Sequence, residues 1–320
     1  MAVSVLMFGC LDATPAEPPA SPAKPLIKAP LPPLEVEQPG PNSPPPDLVF
    51  GDGLEVRAPV RDHRLSLLPI LTVERPSETS YLTLAAGLAS GEVIASDNGV
   101  IEWVTISNRS RQPVAILGGE LLVEGMQDRI IRHDLVIAPG RTHTVSVVCA
   151  EAGRMAGGTR FRHAGSVAEP TLRTLARGGD QFDVWDRIGA LNGTPDAWGG
   201  SYRLAARAQH TPPQRERLDQ LISALDSVDK REERGRVVGF AVAIDDRVVA
   251  VERFATPGLY RDVRAMVIAS YLPSSLGKAK GPERAVTAAD VRAFARANAG
   301  VRRSRPNPPA AAKPEIPALL

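Results

Sequence analysis

The sequence predicts an α+β fold: an antiparallel β-sandwich or barrel-like sheet over about residues 54–150, with a helical and β-hairpin part packed on it. Three observations predict it. Short apolar runs follow one another closely between Leu54 and Cys149. Turn-forming residues separate several of them, at Asp97-Asn98-Gly99, Asn108-Arg109-Ser110-Arg111 and Pro139-Gly140. Amphipathic helical patterns dominate only after Pro170, around one late apolar hairpin. Closely spaced strands joined by tight turns argue for antiparallel pairing rather than βαβ units. Strands first and helices later argue for α+β.

In chain order, Leu54–Val60 and Leu65–Val73 come first, interrupted by Pro59 and Pro69. Proline removes a ladder donor, which predicts edge strands or bulges there. Thr79-Ser80 reads as the N-cap of a short helix over YLTLAAGLAS, closed by Gly91. Strands are expected at Val93–Ser96, Val100–Ser107, Val114–Leu117, Leu121–Val123, Ile130–Ile137 and Thr142–Cys149. Residues Gly157–Gly165 read as loop and Pro170–Leu191 as one helix, followed by an irregular Gly- and Trp-rich stretch from Asn192 to Tyr202. Pro212 after Thr211 opens a charged helix to about Lys230, with Leu218, Leu221, Ile222 and Leu225 on one face. The run VVGFAVAIDDRVVAVERF is two strands joined at Asp245-Asp246, and Gly258–Leu272 and Ala288–Ala299 are helical.

Proline sets the limits of the globular part. Of the 30 prolines in 320 residues, 13 lie between Pro15 and Pro46 and five between Pro306 and Pro317. The expected organisation is a short apolar segment (1–10), a Pro-rich tether without a fold of its own (11–50), one α+β domain (51–300) and a Pro/Arg-rich tail (301–320). MAVSVLMFGC resembles the end of a bacterial lipoprotein signal, with small Gly9 before a lipid-accepting Cys10. No Lys or Arg precedes the apolar run, unlike an ordinary secretory signal. The expectation is a lipid anchor at Cys10 in the bacterial cell envelope, or a cytoplasmic location if this segment is not a signal; labelled palmitate tests it.

The net charge of +2, from 38 basic and 36 acidic residues, carries no electrostatic footprint for nucleic acid. No stretch approaches the ~20 apolar residues of a spanning helix. Cys10 and Cys149 are too differently placed for a disulfide, and no CxxC or HxxxH spacing suggests zinc. GxGxxG, P-loop, GxSxG and HExxH patterns are missing, so neither a metal nor a cofactor is predicted.

The polar residues that resist explanation as surface lie in Val114–Arg154. Gly118 and Gly119 permit positive φ or close approach of a ligand to the backbone before Glu120. In an extended segment Gln127 and Arg129 share one face, while Asp128 points the other way and is free to pair with a second arginine. Glu151 and Arg154, just past a strand end, can fix each other or hold an anion. Cys149 has no histidine nearby in sequence, although His133, His143, His163 or His210 could reach it in the fold.

GGELLVEGMQDRIIRHDLVIAPG followed by SVVCAEAGR resembles the family called the ARG and Rhodanese-Phosphatase-superfamily-associated Protein domain. Gly119, Glu120, Gln127, Asp128 and Arg129 match its first motif, and Cys149, Glu151, Gly153 and Arg154 its second. YLTLAAGLASG, QFDVWDRI, the VVGFAVAIDDRVVAVERF hairpin and Ser270-Tyr271 extend the similarity over about Leu54–Leu272. Ala150 stands where the family usually has valine, and Met155 where it has tryptophan. The resemblance implies a link to ADP-ribose or nucleotide metabolism. The first functional expectation is a membrane-displayed domain whose polar pocket binds a small anionic ligand through Gly119, Gln127, Asp128, Arg129, Cys149 and Arg154, with Glu120 and Glu151 also lining it. The second is a hydrolase of a phosphate- or ribose-containing substrate, with Glu120 or Glu151 as general base and Arg129 or Arg154 on the anion. The third is a structural or interaction module in which these residues form a buried salt-bridge network.

Overall fold

A computed structural model describes residues 53–154, 157–194, 200–231, 236–276 and 284–299. The anchor, tether and tail expectations, Cys10 and Met155 lie outside the described residues. The strands are β1 (Leu54–Val56), β2 (Val60–Asp62), β3 (Leu65–Thr72), β4 (Leu82–Thr83), β5 (Val93–Asp97), β6 (Trp103–Asn108) and β7 (Val114–Ile116). They continue with β8 (Glu120–Val123), β9 (Arg129–Ile131), β10 (Leu135–Ile137), β11 (Thr142–Cys149), β12 (Arg162–Val167), β13 (Val237–Ile244) and β14 (Arg247–Arg253). The helices are α1 (Leu84–Ser90), α2 (Pro170–Gly178), α3 (Gln181–Asn192), α4 (Tyr202–Ala206), α5 (Pro212–Arg231), α6 (Pro257–Ala269) and α7 (Ala288–Ala299).

Six antiparallel strands in the order β12-β8-β9-β11-β6-β5 form the sheet that positions the site. This sheet curls until its two edges meet. Ser96 of β5 bridges Arg160, Phe161 N–H donates to Ala95 O at 2.9 Å, and Asp97 N–H to Thr159 O at 2.8 Å. Alternation along each strand then sorts side chains by face. Leu122, Ile131, Val104, Ile106, Val145 and Val147 pack inside the curl. Leu121, Val123, Ile130 and Val148 face outward onto Leu172 and Ala176 of α2 and Val184 and Ile188 of α3. A short sheet, β10-β7-β4, contributes Val114, Ile116 and Ile137 to the inner cluster, with β4 parallel to β7.

The third sheet runs β1-β3-β13-β14, with β2 also on β3. Its central strands β3 and β13 are apolar along almost their whole length because both faces are covered. Leu65, Leu67, Leu71, Phe240 and Val242 face α5 and α6, while Leu68, Ile70, Ala241 and Ala243 face Val291 of α7. Asp245, at φ 57, makes the tip of the β13–β14 hairpin, and the paired Arg64 holds its carboxylate at 2.6 Å.

Several expectations need correction. Pro69 lies in a central strand rather than at an edge. Its carbonyl accepts from Arg57 N–H, so its missing donor falls at the break between β1 and β2, and the register of β13 shifts close by, between Val237 and Gly239. The residues expected as loop before Gly165 contain β12, a strand hidden by its polar residues and by the left-handed Gly165 at φ 73. The helix expected over Pro170–Leu191 is two. Gly179 ends α2 and the Asp180 side chain caps α3 by accepting from Phe182 and Asp183 N–H. The Ile130–Ile137 strand divides at Arg132–Asp134. The N-cap of α1 is Thr83, not Thr79 or Ser80, since β4 takes the residues between; Gly91 closes α1 as expected, at φ 78. No helix of the described residues is long and apolar enough to cross a membrane.

Candidate functional site

Within the curled sheet, β8, β9 and β11 bring most of the signature residues together, and alternation divides them into groups with opposite electrostatics. Arg129 pairs with Leu122 on one side and Cys149 on the other, so Arg129 and Cys149 point inward as Leu122 does. Gln127, two residues earlier, joins them. Arg129 Nη1 donates to Gln127 Oε1 at 2.9 Å and to Cys149 Sγ at 3.1 Å, and the Cys149 thiol donates to the same Oε1 at 3.0 Å. All three are buried, Arg129 to 2% exposure. No carboxylate among the described residues lies within 4.0 Å of this guanidinium, and its Nε–H donates to nothing. Burial pushes the Cys149 thiol up to about 11, with Arg129 opposing the shift. Each histidine expected to approach the thiol is engaged elsewhere or gives it no contact: His163 faces Glu120 and His210 Nε2 lies 2.9 Å from Ser166 Oγ.

Gln181, the first residue of α3, fixes Cys149 from behind. Its side-chain oxygen accepts from Cys149 N–H at 2.8 Å, and its nitrogen donates to Cys149 O at 2.9 Å. Arg132 fastens the neighbouring helix, donating from Nη1 to Ala176 O at the C-terminal turn of α2 and from Nε to Val147 O.

Asp128 faces outward and is almost completely buried by its partners. Arg203 holds it through Nη2 at 2.7 Å and Nε at 3.1 Å, Arg154 Nη2 lies at 3.1 Å, and the Ser201 hydroxyl donates at 2.8 Å. Arg154 also donates from Nε to Glu151 Oε2 at 2.7 Å and from Nη1 to Gly125 O at 3.0 Å. Here two guanidiniums meet two carboxylates, and each charge has its counter-charge. Ser201 and Arg203 lie more than 70 residues from Asp128 along the chain, so no local pattern announced them.

Glu120 belongs to neither group. Its Oε2 accepts Leu117 N–H at 2.9 Å, and its Oε1 lies 3.3 Å from His163 Nε2 without hydrogen-bond alignment. Gly165 N–H donates to His163 Nδ1 at 2.8 Å, which places the proton of the neutral ring on Nε2, toward Glu120. Glu120 and Glu151 therefore share no partner. Gly119, at φ 100, leaves room for protein rather than ligand: a Cβ there would stand 2.4 Å from Arg173 Cγ. Among the described residues, no three His, Cys, Asp or Glu side chains gather as a metal-ligand set.

Arg173 is the centre of a further charged group that the signature does not contain. It pairs with Glu252 of β14 at 2.8 Å and donates to Tyr271 Oη at 2.7 Å, with its guanidinium 5.3 Å from the ring centre. The Tyr271 hydroxyl also donates to Glu252. Burial opposes the Arg173 charge, but Glu252 and Tyr271 outweigh it and hold the pKa above the ordinary arginine value; burial likewise opposes the Glu252 charge, and Arg173 outweighs it, so that carboxyl is held low. This group ties α2 to the sheet of β13 and β14.

Searches of curated proteins and of solved structures find no match. A family model does match, over residues 53–312, which is the whole described domain. The chain belongs to the family described as the ARG and Rhodanese-Phosphatase-superfamily-associated Protein domain.

Proposed function

We propose that this domain binds a small anionic ligand inside the curled sheet, with Arg129 as the anchor. The observation that carries the reading is the buried guanidinium with no carboxylate within 4.0 Å among the described residues. Taking a charge out of water costs several kcal/mol unless an opposite charge accompanies it. Asp128 meets two guanidiniums, whereas Arg129 meets, among the described residues, an amide oxygen and a thiol. A carboxylate or phosphate oxygen arriving there supplies the missing charge, and the planar fork of arginine suits both.

The hydrolase reading is less well supported. A general base needs a lone pair facing a bound water or substrate. Glu151 spends one oxygen on Arg154, and Glu120 is fully buried against Leu117 and His163. The Asp128–Arg154–Arg203 group supports a structural role for that face, since its charges balance internally.

The test is thermal unfolding of the full chain against acetate, phosphate, ADP-ribose and a chloride control at equal ionic strength. Binding to the folded state raises the midpoint with concentration, by about 2.7 kcal/mol of stability at a hundredfold excess over Kd. At least one anion is expected to do so, and Arg129→Met is expected to abolish the response. A response that survives in the Arg129→Met variant sinks the assignment, as does the absence of any response in the native chain.

A further inference from the structure

The inward trio also has the geometry of a reaction within the protein itself. We propose that the Cys149 sulfur and the Gln127 side-chain carbonyl carbon form an internal thioester.

Four features point to it. The thiol donates to the Gln127 side-chain oxygen at 3.0 Å, which sets the sulfur beside the carbonyl group whose carbon it would attack. Arg129 Nη1 donates at once to the amide oxygen, 2.9 Å away, and to the sulfur, 3.1 Å away. Negative charge in acyl transfer develops on that oxygen, and a fixed cationic donor aimed at it is the strongest device a protein has for lowering the barrier. Among the described residues no carboxylate lies within 4.0 Å of this guanidinium, so the amide oxygen and the sulfur are its hydrogen-bond acceptors. Water, which would hydrolyse the product, is kept out: Cys149 is 1% exposed and Gln127 4%. Finally, the reacting groups sit on rigid supports. Cys149 pairs with Arg129 across the β9–β11 ladder, and Gln181 holds both of its backbone polar groups.

The step balances without any added reagent. Sγ bonds to Gln127 Cδ as the Cδ–Nε2 bond breaks, the thiol hydrogen passes to Nε2, and ammonia leaves. The proton that leaves sulfur as the S–C bond forms is the one the departing nitrogen takes up, so no outside acid is needed. The product is an acylating group enclosed beside Arg129. A primary amine attacking Cδ would form an amide with Gln127 and return Cys149 to the free thiol, so the partner class is an amine-bearing molecule captured covalently. This inference shares Arg129 with the binding reading but does not depend on it.

The experiment is mass analysis of the full chain, purified without amine buffers and digested under acidic conditions. The expected result is that the segments carrying Gln127 and Cys149 are recovered joined, lighter by one ammonia than their sum, with no alkylatable thiol at Cys149. Methylamine added to the unfolded chain is then expected to separate them, leaving a methylated amide at Gln127 and one new thiol at Cys149. Cys149→Ser and Arg129→Met are each expected to give unjoined segments at their sequence masses. Recovery of both native segments at sequence mass, with Cys149 alkylated after unfolding, overturns the proposal. Because the readout is mass rather than an anion-dependent midpoint, the thioester and the binding reading can fail separately.

Discussion

Arg173 and Arg129 are two guanidiniums sunk into the same domain and provided for in opposite ways. Arg173 is met by a carboxylate, a phenol hydroxyl and the face of that phenol's ring, and it ties α2 to β14 and Tyr271. Arg129 is met by an amide oxygen and a thiol, neither of which carries charge in its ordinary state. Burial of a charge opposes folding in both places, and only at Arg173 does the protein answer it with an opposite charge. The difference separates architecture from function. A compensated charge explains itself through the elements it joins, whereas an uncompensated one is retained despite its cost and asks for a use.

Three substitutions break or sharpen that contrast. The largest effect is expected from Glu252→Gln, which keeps the shape but leaves Arg173 buried beside a neutral group. Breaking one partner of a buried pair costs about 3–5 kcal/mol, and a denaturant midpoint measures it. A loss below about 1 kcal/mol would show that the pair is not what holds α2 to the second sheet. Arg129→Met should move stability the other way or leave it unchanged, since it removes the cost of keeping a charge out of water without stranding an opposite charge. A loss as large as that of Glu252→Gln would make Arg129 a structural residue and remove the ground for the binding reading. The smallest effect is expected at Arg162, whose pair with Glu124 at 2.6 Å leaves the two side chains 64% and 51% exposed. Solvent screens such a pair, so Arg162→Ala should leave the midpoint indistinguishable from the native one.

What could be read from the sequence was whatever depends on neighbouring residues. Alternation in ELLV separates Leu122 from Leu121 and Val123, and the structure sends them to different cores. The same rule separates Asp128 from Gln127 and Arg129, and Glu151 reaches Arg154 three residues away. What could not be read was whatever depends on distant parts of the chain meeting. The closure of the sheet rests on Ser96 and Arg160, and the burial of Asp128 on Ser201 and Arg203. Strand β12 was hidden because Arg162, His163, Gly165 and Ser166 break its apolar pattern; its partner β8 makes it a strand. The break between α2 and α3 was visible in Gly178-Gly179-Asp180, where a C-cap and an N-cap stand side by side, but the amphipathic pattern on both sides concealed it.

Gln181 has a consequence for the solution behaviour of the domain. The bonds from β11 toward the β6 side run as far as Val147 N–H on Glu102 O at 2.9 Å, so Cys149 at the end of β11 runs on past that neighbour. A strand that outruns its partner exposes a free donor and acceptor, to which another chain can add. One side-chain amide, with a donor and an acceptor set side by side, occupies the place of the next strand at Cys149. The end of the sheet is thereby closed to a foreign strand by a single residue of the helix that lies against it.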